Sequence, residues 1–157
     1  MLVIADSSAL VALATCEGLD ILLKVYDDVK VPQSVFDEVV VSGKSHASTL
    51  EKFLQKRITK VDTSSFVLSV GGLGQGELEA MALYKQLSAD ALLIDDHRAK
   101  AIAEFNEIYC VGTLGLLLLA KENKEIKNIA PYIEKLRASS LHFSEELLDN
   151  VLKLARE

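Results

Sequence analysis

The stretch Leu2-Val3-Ile4-Ala5-Asp6-Ser7-Ser8-Ala9-Leu10 decides the fold class. Four apolar residues in a row, with no polar alternation, suit a strand covered on both faces, as strands of parallel sheets are. The run stops at Asp6 and passes straight into a helix, which Ser7 or Ser8 is expected to cap. Leu10, Leu13 and Ala14 carry helical spacing as far as Gly18, and Leu19, Leu22, Leu23 and Tyr26 resume it. A second strand near Val29–Val31 ends at Pro32, so the chain begins as a β-α-β unit.

Outward from that unit the alternation continues. Helices are expected at Gln33–Val41 and Ala47–Arg57, with a short strand at Ile58–Val61. The glycine-rich stretch Gly71–Gly76 leads into a helix over Glu77–Leu87, then a strand over Ala91–Ile94 closed by Asp95-Asp96. A helix over His97–Phe105, a strand over Ile108–Val111 and an apolar helix from Thr113 complete an α/β pattern, a parallel sheet with helices on both faces. Helices at Ile129–Ala138 and Glu145–Ala155 form a C-terminal extension, residues 123–157, beside a core of residues 1–122. Leu147, Leu148, Val151, Leu152 and Leu154 lie along one side of the last helix, which either covers the protein's own core or builds a homodimer.

With 157 residues, 50% of them apolar, the chain suits one well-buried domain over 1–157 and is short for two. A formal net charge of −6 argues against a broad basic surface, so any nucleic acid must be gripped locally. Cys16 and Cys110 have neither CxxC spacing nor a matching histidine set, which fits two reduced core thiols in a cytoplasmic protein. The N-terminus lacks a basic leader, and the apolar run Leu114–Ala120 is far below the ~20 residues of a spanning helix, so neither export nor membrane insertion is expected.

Ligands of open parallel sheets gather beyond the C-terminal strand ends, and two such ends carry Asp6 and Asp95-Asp96. Glu38 lies beside the core stripe of Val35 and Val39, and Glu77 opens a helix whose Ala80, Met81 and Tyr84 face the sheet. Singly, each has a plain account: Asp6 and Asp95 as helix caps, Glu77 as a complement to the helix dipole, Glu38 as a solvated glutamate. Together, four carboxylates in one cleft raise one another's pKa values and make sense chiefly around a cation. Oxygen donors without His or Cys favour Mg²⁺ or Mn²⁺, an ion that serves phosphodiester hydrolysis. A nucleotide-binding loop is disfavoured, because G-x-G-x-x-G and G-x-x-x-x-G-K-[ST] are absent and Asp6 stands where the first turn needs glycine.

Ala5-Asp6-Ser7-Ser8-Ala9-Leu10, Val31-Pro32 with Val35 and Glu38-Val39, and Gly76-Glu77-Leu78-Glu79-Ala80 eighteen residues before Asp95 together resemble the PIN-domain nucleases over residues 1–120. Leu93-Ile94-Asp95-Asp96 and Gly112-Thr113-Leu114-Gly115 are similar to a prokaryotic branch of that family. The resemblance implies a three-layer α/β/α sandwich on a parallel sheet of four to five strands. It also implies that Asp6, Glu38, Glu77 and Asp95 bind Mg²⁺ or Mn²⁺ and cleave single-stranded RNA. Kinship with VapC-type toxins, and with it a small antitoxin partner, belongs to the same implication. Glu77 stands where many members have Asp, and Leu93 where many have Ser or Thr. These departures keep open a catalytically weak or inactive protein that binds RNA or associates with other proteins. Asp96 is expected as an auxiliary metal ligand. Substrate contacts are expected from Ser7, Ser8, Arg98 and Lys100, while Lys44, Lys52, Lys56 and Arg57 suit either an RNA contact or a solvated helix face.

Overall fold

A computed structural model describes residues 1–62, 67 and 71–157. In chain order its elements are β1 (Leu2–Ala5), α1 (Ser7–Thr15), α2 (Leu19–Val25), β2 (Asp28–Lys30), α3 (Gln33–Val39), α4 (Ala47–Leu54) and α5 (Gln75–Leu87). There follow β3 (Ala91–Leu93), α6 (His97–Phe105), β4 (Cys110–Val111), α7 (Thr113–Glu122), α8 (Ala130–Arg137) and α9 (Glu145–Leu154). The four strands form one parallel sheet in the order β2-β1-β3-β4.

Because successive residues of a strand point to opposite faces, β1 feeds two cores. Val3 and Ala5 pack with buried residues of α1, α2 and α7. Ile4 packs with Ala80, Met81 and Leu83 of α5 and with Ile102 and Ala103 of α6. That division makes the α/β/α sandwich, and it explains why β1 is apolar throughout.

Two expectations change. The strand at Ile58–Val61 shrinks to a single parallel bridge between Ile58 and Val31, with Val31 N–H donating to Arg57 O at 3.0 Å and Thr59 N–H donating to Val31 O at 2.9 Å. Pairing stops there because Pro32 and then α3 follow Val31 directly, leaving no extended residue to continue the ladder. The apolar side of α9 is also narrower than expected. Leu148, Val151 and Ala155 are buried, whereas Leu147 and Leu154 are 46% and 73% exposed.

The C-terminal helices form a further layer, with α8 against α1 and α9 against α7 and α8. The carboxylate of Glu157 clips them down. It accepts the Ile129 N–H at 2.9 Å and the Ala130 N–H at 3.1 Å, at the start of α8, and pairs with Lys121 of α7 at 2.6 Å. Both cysteines are free thiols, pushed up to about 11 by burial. No helix among the described residues is long and apolar enough to cross a membrane.

Candidate active site

The connections from β1 and β3 run to opposite sides of the sheet, β1 to β2 and β3 to β4. The crevice beyond the C-terminal ends of β1 and β3 is therefore the topological switch point, where open α/β sheets bind ligands. Asp6 stands there. Its N–H still belongs to the sheet, donating to Leu93 O at 2.9 Å, and it takes the N-cap position of α1 without making a capping bond through its side chain.

That leaves its carboxylate for something else. Asp6 is 1% exposed; its Oδ2 accepts from Ser8 Oγ at 3.3 Å, and its Oδ1 has no hydrogen-bond partner among the described residues. Native proteins rarely bury an unpartnered carboxylate oxygen, since desolvation is uncompensated there. Burial is the main cause that pushes Asp6 up to about 6. The Ser7 N–H and the Ser8 hydroxyl pull the other way, and the charges of Glu77 and Glu38 add to the rise.

Two helices bring those glutamates to the same place. α3 buries Val35 and Val39, which leaves Glu38 at the rim, where its Oε2 accepts from Ser7 Oγ at 3.0 Å. Neither serine caps α1 as expected, because both hydroxyls turn to the carboxylates. Glu77 sits in the first turn of α5 and accepts the Gly74 N–H at 2.9 Å. The two helices approach closely at Gly76, where a Cβ would lie 3.2 Å from Glu38 Oε2 and 3.3 Å from Val35 Cγ2. Glycine there lets Glu77 and Glu38 face one cavity. That cavity, of about 460 Å³, is lined by Asp6, Ser7, Ser8, Glu38, Glu77 and Asp96. Its other walls include Lys44, whose Nζ donates to the Glu38 carbonyl at 3.0 Å, and Leu141 from the loop between α8 and α9.

The pair at the end of β3 divides differently from the expectation. Asp95 turns away to the start of α7, where its Oδ1 accepts the Thr113 N–H at 2.7 Å and its Oδ2 accepts the Thr113 hydroxyl at 2.6 Å. Gly112 makes room for this, since a Cβ there would lie 2.9 Å from Asp95 Oδ1. The Asp95 N–H donates to Ser8 Oγ at 3.3 Å. Asp96 is the residue that lines the carboxylate cavity, and it is also the helix cap, accepting the Ala99 N–H at 2.8 Å.

A family model described as a PIN domain matches residues 2–157. The chain belongs to the PIN-domain family. Comparison with curated proteins and with solved structures finds no match. The PIN-domain family points to nuclease-type function, hence to a hydrolase, and its members typically use divalent metals.

The residues of this PIN domain fit such an ion in kind. All the donors lining the cavity are hard oxygens, and Asp6 Oδ1 is a buried carboxylate oxygen without a hydrogen-bond partner among the described residues. Among the described residues, no three His, Cys, Asp or Glu side chains are already gathered closely enough to hold an ion. Glu38, Glu77 and Asp96 are each engaged by a protein donor.

The expected cationic contacts scatter. Arg98 donates to Gly71 O at 2.9 Å and packs against Gly72, outside the carboxylate cavity. Gly72 adopts φ +79°, a left-handed conformation suited to glycine. Lys100 lines a neighbouring cavity with Asp95 and His97. Arg57 stacks over the Phe53 ring and pairs with Asp28. Lys44, one of the lysines expected on or near helix α4, lies in the loop before it and lines the carboxylate cavity.

Proposed function

We propose that this protein is a Mg²⁺- or Mn²⁺-dependent endoribonuclease that hydrolyses phosphodiester bonds of single-stranded RNA. The observation that carries the reading is the buried Asp6 carboxylate, whose Oδ1 has no hydrogen-bond partner among the described residues, in a cavity walled by Glu38, Glu77 and Asp96. Carboxylates so placed are compatible with folding, and useful, when a cation neutralises them. A bound cation supplies an acidified water and offsets charge on the phosphorus oxygens and the leaving group.

The chain's own part is to position. Asp6, Glu38, Glu77 and Asp96 offer the oxygens, and Ser7 and Ser8 orient Glu38 and Asp6. Asp95 acts through its bonds to Thr113 and Ser8, which tie the start of α7 and the start of α1 to the end of β3. Lys44 puts one ammonium group at the cavity wall, where a substrate phosphate can meet it.

The test is cleavage of a fluorescent single-stranded RNA with Mg²⁺ or Mn²⁺ and after chelation, by the wild type, Asp6→Asn and Glu77→Gln. Chelation is expected to stop cleavage, and both substitutions to abolish it while the fold persists. Metal-independent cleavage, or full activity in both variants, overturns the assignment. A toxin role with a small antitoxin partner goes with this reading; co-purification of such a partner from the native host checks it. That no three His, Cys, Asp or Glu side chains are gathered closely enough among the described residues to hold an ion favours a second reading, a weakly active or inactive module for RNA binding or protein association. RNA binding without turnover at any metal concentration would establish it.

A further inference from the structure

Beside the carboxylate cavity lies a larger one, of about 660 Å³, between α6, β4, α7 and the loop that leads into α9. The two share a wall made of consecutive residues. Asp96 and Leu141 face the first cavity, while Asp95 and His142 face the second, and consecutive Cα atoms are only about 3.8 Å apart. On its other side the carboxylate cavity continues into a recess that shares Ser7, Glu38 and Glu77 with it. The three depressions lie in series along the C-terminal edge of the sheet.

We propose that the larger cavity is the subsite for a nucleotide flanking the scissile bond, an inference that rests on the RNA-nuclease reading. Its chemistry is mixed in the way a nucleotide is. Tyr109, 65% exposed, and Phe143, half-buried, offer aromatic faces to a base. Lys100, His97 and His142 place cationic or polar nitrogens around the same space for phosphate and sugar. Two carboxylates also line it. Asp95 is engaged through both oxygens by Thr113, and Glu122 at the end of α7 is an acceptor for an exocyclic amine. In a chain of net charge −6, such local grouping is what gripping RNA requires.

The C-terminal extension thereby gains a role. Leu141, His142 and Phe143 come from the loop between α8 and α9, so that loop shapes both cavities. The extension is then part of the substrate cleft.

The test pairs binding with kinetics, using a fluorescein-labelled single-stranded oligoribonucleotide. Anisotropy with Mn²⁺ in an Asp6→Asn background reads affinity without turnover, and steady-state cleavage in the otherwise wild-type protein reads KM and kcat separately. Tyr109→Ala and Phe143→Ala are each expected to weaken binding about 5- to 150-fold, the worth of one stacked base, and to raise KM more than they lower kcat. Lys100→Gln is expected to reduce the slope of log affinity against log salt by about 0.7, one single-strand phosphate contact. Tyr109 is exposed, so its variant keeps the test sound if Phe143→Ala misfolds. If the wild type cleaves RNA while Tyr109→Ala and Lys100→Gln leave affinity, KM and salt slope unchanged, the subsite is overturned and the nuclease reading stands. That is also the outcome if the cavity accepts a peptide instead. If the wild type neither binds nor cleaves RNA, both fall.

Discussion

Replacing Asp6 by asparagine should make the metal-free protein more stable at alkaline pH. The folded protein holds Asp6 up to about 6, against an ordinary value of 3.8. A folded value raised above the unfolded one means that the native state binds the proton more tightly between those two pH values. Stability therefore falls as pH rises from about 4 to about 6 and stays lowered above that window. At about 1.36 kcal/mol per pH unit, the loss is about 3 kcal/mol. Asparagine is nearly isosteric and never ionises. Its amide leaves one polar group unpaired, as the protonated acid does, so that cost cancels when the variant is compared with the wild type at low pH.

The expected outcome is near-equal stability of the two proteins at pH 4 and an advantage of up to about 3 kcal/mol for Asp6→Asn at pH 8. For a chain of this size the advantage corresponds to roughly 6–12 °C in Tm. Urea or thermal unfolding followed by circular dichroism, in chelator, measures it. Adding Mn²⁺ at 100 times its Kd should nearly cancel that advantage, because it adds about 2.7 kcal/mol to the protein that binds it and nothing to one that does not, and at 1,000 times Kd, about 4.1 kcal/mol, it should invert the order. Parallel pH profiles for the two proteins would refute the reasoning, since they would mean that burial of Asp6 carries no electrostatic cost.

Thr113→Val removes a 2.6 Å hydroxyl bond to a carboxylate, and bonds of that kind contribute about 1.5–3 kcal/mol; chemical denaturation should show that loss, with Thr113→Ser restoring most of it. Glu77→Gln keeps an oxygen for the Gly74 N–H, so its stability should stay within about 0.5 kcal/mol of wild type while cleavage is lost, which separates capping from catalysis. Glu157→Ala frees the first N–H groups of α8 and should cost about 0.5–2 kcal/mol, as losing an N-cap does; amide exchange at Ile129 and Ala130 should accelerate before exchange in β1.

β1 and β3 were legible because they are short apolar runs closed by Asp6 and Asp95, and burial on both faces leaves little else for such runs to do. Helical phase was enough to bring Glu38 and Glu77 to the same edge, since Val35 and Val39, or Ala80 and Met81, fix which way each helix faces. The division between Asp95 and Asp96 was not legible. Neighbours at a strand end diverge according to the backbone turn, and what draws Asp95 aside is Thr113, on a helix that begins after another strand has formed. The bond from Arg98 to Gly71 was not legible for the same reason, because Gly71 belongs to a loop remote in sequence. The buried face of α9 could not be resolved from the pattern Leu147-Leu148-Val151-Leu152-Leu154, because α7 and α8 together choose it.

The serines explain how a destabilising cluster is held in place. Ser7 and Ser8 sit where hydroxyls at a helix start ordinarily satisfy backbone N–H groups, yet Ser7 donates to Glu38, and Ser8 donates to Asp6 while accepting the Asp95 N–H. α1 thus begins without a side-chain cap, a loss on the order of 1 kcal/mol, added to the cost of burying Asp6. A chain selected for stability alone would spend the polar side chains of this turn on capping α1, whereas here the hydroxyls link three acidic residues, Asp6 just past β1, Glu38 on α3 and Asp95 just past β3. The local instability is concentrated at the switch point of the sheet and offset by apolar packing on both of its faces, which is where strained or unpaired groups serve function.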